Sequence, residues 1–198
     1  MPIVPDAKDW TWVLERICAE CGFDPEAIAF AAVPALVRTS AERLAIALER
    51  LDATARPDDA TWSALEYAAH VRDVCRIFEH RLDITRTGSA RPGPDIGGYD
   101  PAVTVDAGIP MFANWDQDAT ALAENYGAQR PGTVAGELRT AAETASRAYG
   151  SVAVGELDRV ARRSNGSQFT VETLARYFAH DLVHHVYDVE KVGAEPVR

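Results

Sequence analysis

Arg176-Tyr177-Phe178-Ala179-His180-Asp181-Leu182-Val183-His184-His185 is the stretch on which the reading of this chain turns. His180 and His184 are four positions apart. An α-helix turns about 100° per residue, so a spacing of four returns two side chains to one face, one turn apart. Two imidazoles so placed can share one metal ion. Such pairs also arise on helix faces as packing or capping residues, so the pair alone decides little.

Working outward, Thr170 is the expected N-cap of this helix, with Glu172 in its first turn. The apolar positions carry the helix toward Gly193. A third histidine, His70, lies in Trp62-Ser63-Ala64-Leu65-Glu66-Tyr67-Ala68-Ala69-His70-Val71. Ser63 followed three residues later by Glu66 is a capping box. Leu65, Ala69, Val74, Phe78 and Leu82 then recur at helical spacing, and His70 faces inward with them. Three imidazoles on two helices make a facial ligand set that leaves positions open to water or substrate. That suits a catalytic ion better than a closed structural one.

Two further long segments read as helix. One starts at Asp24-Pro25-Glu26, with Pro34 inside its pattern as a kink or as the true start of its long part. The other begins near Asn114-Trp115-Asp116-Gln117-Asp118, breaks at Gly127 to Pro131, and resumes through Val134, Leu138 and Ala145. Between Arg86 and Pro110 the glycines and prolines exclude a regular helix, so this stretch is read as a long loop, a lid or a passive insertion. Ser164-Asn165-Gly166-Ser167 is a turn signal. No segment reads as sheet. The expectation is an all-α four-helix bundle, with residues 1–23 as an extension, 24–192 as the bundle and 193–198 as a tail.

The 198 residues carry a net charge of −10 and are 47% hydrophobic. So acidic a chain lacks the basic footprint for nucleic acid and the polybasic patch for anionic membranes. No run approaches the roughly 20 apolar residues of a membrane span. Met1-Pro2-Ile3-Val4-Pro5-Asp6 lacks the pattern of a signal peptide. The cytoplasm is therefore the expected compartment. Cys18, Cys21 and Cys75 are too few for a disulfide framework. Cys18 and Cys21 form a lone CxxC, for which the sequence offers no second CxxC and no spare HxxxH. It is read as packing thiols first, an oxidisable dithiol second and partial metal ligation third. Cys75 is read as a small core residue, His80 as a surface residue, and His185 as turned away from the ion.

The ordered combination of the Trp62–His70 motif and the His-xxx-His pair on the last helix resembles the DinB/YfiT-like superfamily. That group includes the metal-binding domain of mycothiol-dependent maleylpyruvate isomerases and bacterial thiol S-transferases. The resemblance covers about residues 25 to 192. It implies an up-down-down-up topology and a divalent metal, zinc or nickel, held by His70, His180 and His184. In the isomerases the first position of the last-helix pair is a carboxylate. The resemblance further implies an enzyme that transfers a low-molecular-weight thiol, mycothiol being the candidate, to a small electrophile. A metal-dependent hydrolase and a non-catalytic metal- or ligand-binding bundle are the alternatives, and a homodimer is allowed for. Asn114, Trp115, Asp116 and Arg162 are the expected substrate-binding residues, with an N-terminal helix cap as the competing role for Asn114 or Asp116.

Overall fold

A computed structural model of the chain describes residues 9–89 and 91–194. The first eight residues of the expected extension and the last four of the expected tail lie outside the described residues. Four long helices, α1 (Val33–Ala47), α2 (Ala64–Thr87), α4 (Pro131–Gly150) and α5 (Val171–Ala194), form a bundle in which α4 and α5 each pack against both α1 and α2. A short helix, α3 (Gln117–Ala123), precedes α4. Among the described residues, no helix is long and apolar enough to cross a membrane.

The core explains the bundle. Val37 and Leu44 of α1, Leu65 and Phe78 of α2, Leu138 of α4 and Phe178 of α5 are all buried in one cluster. Phe178 stacks between Phe78 and Tyr149 at 5.1 and 5.2 Å. Each large side chain removed from water contributes about 1.5–3 kcal/mol. Cys18 and Phe23 belong to the same cluster, so the segment ahead of α1 is packed onto the bundle.

The helix ends follow local chemistry. Ser63 and Glu66 form the capping box of α2, and Arg56 Nε donates to Glu66 Oε2 at 2.9 Å. Gly88, at φ +74°, closes the helix in the left-handed region. Asp24 holds only a turn, through Glu26 N at 3.0 Å. The helix proper starts at Val33, with Pro34 in its first turn, where a missing N–H has no cost.

The all-α, up-down-down-up four-helix expectation does not hold. Among the described residues, five α-helices are accompanied by a four-stranded mixed sheet, β1 (Val103–Asp106), β2 (Ile109–Phe112), β3 (Val160–Arg163) and β4 (Gln168–Thr170), in that spatial order. β1/β2 and β3/β4 are antiparallel, and β2/β3 are parallel. The glycines and prolines after α2 exclude a helix but not a hairpin. Ala107 and Gly108, at φ +50° and +80°, make the two-residue turn whose twist suits paired strands. Val103-Thr104-Val105 supplies the β-branched residues of the first strand. The Ser164–Ser167 turn joins β3 to β4. From β2 the chain runs to Trp115, which is half-buried and packs against the core.

Candidate metal centres

Among the described residues, two groups of donor side chains meet at α5. In the first, α2 contributes His70, which is fully buried. Trp115 stacks on its ring at 5.2 Å and 9°, and Trp62 packs at 5.3 Å. Among the described residues, neither ring nitrogen of His70 has a hydrogen-bond partner. A buried polar group left so costs about 1–3 kcal/mol. α5 contributes Asp181 and His185, one turn apart. Asp181 Oδ1 lies 3.1 Å from His185 Nε2 and 3.7 Å from His70 Nε2. On its other side His185 Nδ1 meets Asp188 Oδ2 at 3.2 Å, and Lys191 Nζ donates to Asp188 Oδ1 at 2.7 Å.

The electrostatics match this wiring. Burial opposes charge on His185, but hydrogen bonds to Asp181 and Asp188 outweigh it and raise its pKa to about 9. Burial likewise opposes charge on Asp181, yet the two histidines hold its carboxyl well below the usual range. Burial lowers His70 and keeps it neutral. Two imidazoles and a carboxylate, with orphaned nitrogens at the centre, fit a divalent cation with open positions.

The second group is Cys18, Cys21, His180 and His184. Cys18 Sγ is 3.8 Å from His184 Nδ1. The rings of His180 and His184 are 5.2 Å apart, and Trp10 packs on both at 5.7 and 5.1 Å. Burial pushes His180 down to about 4 and lowers His184, so both rings are neutral.

The expected triad is thus divided. His70 joins Asp181 and His185, while His180 and His184 join Cys18 and Cys21. The cause is helical phase. His180-Asp181-Leu182-Val183-His184-His185 contains two pairs at a spacing of four, one residue out of register and so about 100° apart. The carboxylate–histidine pair was legible at that shifted register. The cysteines needed the fold, because no sequence spacing ties residue 18 to residue 180.

Of the expected substrate-binding residues, Trp115 covers His70 and donates through Nε1 to Thr120 Oγ1 at 2.7 Å. Asp116 caps α3 through Ala119 N at 2.9 Å. Asn114 is exposed, and its N–H donates to Ser164 Oγ at 2.8 Å. Arg162 on β3 pairs with Asp106 at 3.0 Å. None of the four is among the residues lining the cavity of about 270 Å³ beside the donor groups. Its walls are Trp10, Trp62, Tyr67 and Tyr177, and His180, Asp181, His184 and His185 open onto it. His80, expected on the surface, is buried, with Nδ1 3.0 Å from Tyr99 Oη. Cys75 is a buried core residue.

No curated protein and no solved structure matches this chain. A family model described as the DinB superfamily matches residues 35–189, a span that holds the four long helices almost whole and all of His70, Asp181 and His185, but not Cys18 or Cys21. On that match over most of its length, the chain belongs to the DinB superfamily.

Proposed function

We propose that the chain is a metal-dependent transferase that joins a low-molecular-weight thiol to a small electrophile, with the ion held by His70, Asp181 and His185. The observation that carries this reading is fully buried His70, with no hydrogen-bond partner among the described residues and with Nε2 3.7 Å from Asp181 Oδ1, in one donor group with Asp181 and His185. Membership of a superfamily that generally binds a divalent metal supports it. Zinc or nickel is the proposed ion and mycothiol the candidate thiol.

A divalent cation in this position keeps a coordinated thiol deprotonated near neutral pH. The protein's own residues prepare the place. Asp188 fixes the tautomer and ring plane of His185, leaving Nε2 toward Asp181. Trp62 and Trp115 clamp the His70 ring. The donor set carries one negative charge, so a divalent ion there retains positive charge that favours an anionic ligand. Trp10, Trp62 and Tyr67 line the cavity with apolar surface that limits water. At about 270 Å³ the cavity takes a small electrophile and the sulfur end of a thiol, with the rest of a larger thiol outside. Gln117 and Asp118 supply polar groups on its wall.

The test is turnover of model electrophiles with a panel of thiols. Activity should vanish on chelation, return with zinc or nickel, and favour a large sugar-bearing thiol, whose remote contacts supply binding energy. Thiol-independent hydrolysis of an ester or amide at the same rate overturns the transferase reading in favour of a hydrolase.

A further inference from the structure

We propose that Cys18, Cys21, His180 and His184 hold a second divalent cation, of zinc type, in a closed structural site that clamps the segment ahead of α1 onto α5. This does not rest on the thiol-transfer reading. Its four donors are distinct from the three of the first centre.

The geometry comes first. One ligand atom from each of the four residues lies within 4.8 Å of all the others. Tetrahedral zinc, with sulfur at about 2.3 Å and nitrogen at about 2.0 Å, needs neighbouring donors about 3.3–3.8 Å apart. Cys18 Sγ and His184 Nδ1 already stand at 3.8 Å. The far nitrogen of His184, Nε2, faces Asp188 and Glu20 carboxylates at 3.8 and 3.9 Å. Both lie beyond hydrogen-bond distance and supply negative charge near the ring without a hydrogen bond to it.

The cysteines are presented by a tight turn. Gly22 N donates to Cys18 O and Cys18 N to Phe23 O, each at 2.9 Å. Gly22 sits at φ +73°, where a side chain is strained. The turn directs both sulfurs to one side, against the His180–His184 face of α5.

Burial points to a missing partner. His180 is 4% exposed, and its Nε2 has no hydrogen-bond partner among the described residues. Cys18 is 1% exposed. Trp10, Trp12 and Phe23 ring the His180 imidazole. Two thiolates neutralise a divalent ion completely, which suits donors packed among apolar rings, and four protein donors close the coordination sphere although His180 and His184 border the cavity. Two sulfurs and two nitrogens select zinc among the common divalent ions. A Cys18–Cys21 disulfide is the competing arrangement, and it leaves His180 Nε2 without a partner.

Metal analysis of the purified full-length protein, followed by cobalt exchange, tests the site without any variant. The expected result is two divalent ions per chain and a sulfur-to-cobalt charge-transfer band in the near ultraviolet. The band should persist in His70→Ala, which removes a donor of the first centre only. It should disappear in Cys18→Ser with Cys21→Ser, with metal content falling to one. Cobalt bound without a sulfur band overturns the proposal, and so does a Cys18–Cys21 disulfide found as the isolated form by mass spectrometry. Failure of thiol-dependent turnover leaves the band untouched, so the two readings fail separately.

Discussion

His180 and His184, and Asp181 and His185, are the same spacing on the same helix, one residue apart. Their surroundings differ in almost every respect. The first pair meets two sulfurs from a turn outside the family's matched span. The second meets one imidazole from α2, inside that span. Four donors with two thiols would complete the shell of an ion. Three donors with one carboxylate would leave it charged and with positions open. The comparison teaches that a helix supplies only a face. What arrives from elsewhere in the chain decides whether that face serves anchoring or chemistry.

Removing His70 should separate the two most sharply. His70→Ala deletes a donor that only the first centre uses. An ion in a site of this kind contributes several kcal/mol to the transition state, so turnover should fall by about 10³-fold or more. Hydrogen exchange of residues 9–23 should not change. Activity within about tenfold of the parent would remove His70 from the centre.

The reverse experiment is Cys18→Ser with Cys21→Ser. An ion present at about 1,000 times its dissociation constant contributes about 4 kcal/mol. Its loss should raise opening of the segment ahead of α1 by about 10³-fold, seen as lost amide protection there. Helical circular dichroism should hold, because α1, α2, α4 and α5 keep their shared core. Unchanged protection would show that packing of residues such as Val13 and Phe23 secures the segment without an ion.

Asp188→Asn probes the support behind the first centre. Loss of such a partner costs about 10–100-fold in metal affinity. A second effect opposes it. With a pKa of about 9, His185 is protonated at neutral pH in the protein without metal, and that proton must leave before an ion binds. Asp188 helps hold the proton, so its removal eases metal binding at neutral pH. The affinity deficit should therefore be small near about pH 7 and widen as pH rises past the His185 value. A deficit independent of pH would mean that Asp188 acts by orientation alone. The second centre should be less affected, since Asp188 stands 3.8 Å from His184.

Much of this was legible in the sequence, and the reasons are physical. Strong 3.6-residue periodicity and the Ser63–Glu66 capping box made α2 legible, whereas α1 was read as starting at Asp24, and of the two roles weighed for Pro34 the start of the long part is the one observed. The sheet was not legible, because its strands are three or four residues long and sit among glycines and prolines. Val103-Thr104-Val105 ahead of Ala107-Gly108 was the available signal, too brief to outweigh those breakers. At the site, His180 and His184 were read as the α5 donors, while His185 was read as turned away from the ion and Asp181 was not counted among the donors. Two overlapping pairs at one spacing cannot be ranked without knowing which face meets α2. Cys18 and Cys21 were seen as a CxxC lacking partners, and only folding brings His180 and His184 to them.

The smallest expected effect concerns Glu66, one turn before His70 on α2. Its carboxylate accepts from Ser63 N at 2.9 Å and from Arg56 Nε at 2.9 Å. Burial pushes its pKa up, but Arg56 and Ser63 prevail and hold it below the usual 4.5. A carboxyl with a depressed folded value stabilises the fold above its unfolded pKa, and that contribution fades as pH falls through the folded one. Glu66→Gln removes the charge and keeps the shape. It should cost about 1–2 kcal/mol near neutral pH. The gap between parent and variant should close in acid, below about pH 4. Urea denaturation at the two pH values measures it. Both metals should remain, because Glu66 belongs to neither donor group; the first should bind slightly more weakly as the start of α2 loosens around His70. A gap that persists unchanged in acid would show that the glutamate acts through packing, and that the placement of His70 does not depend on this charge.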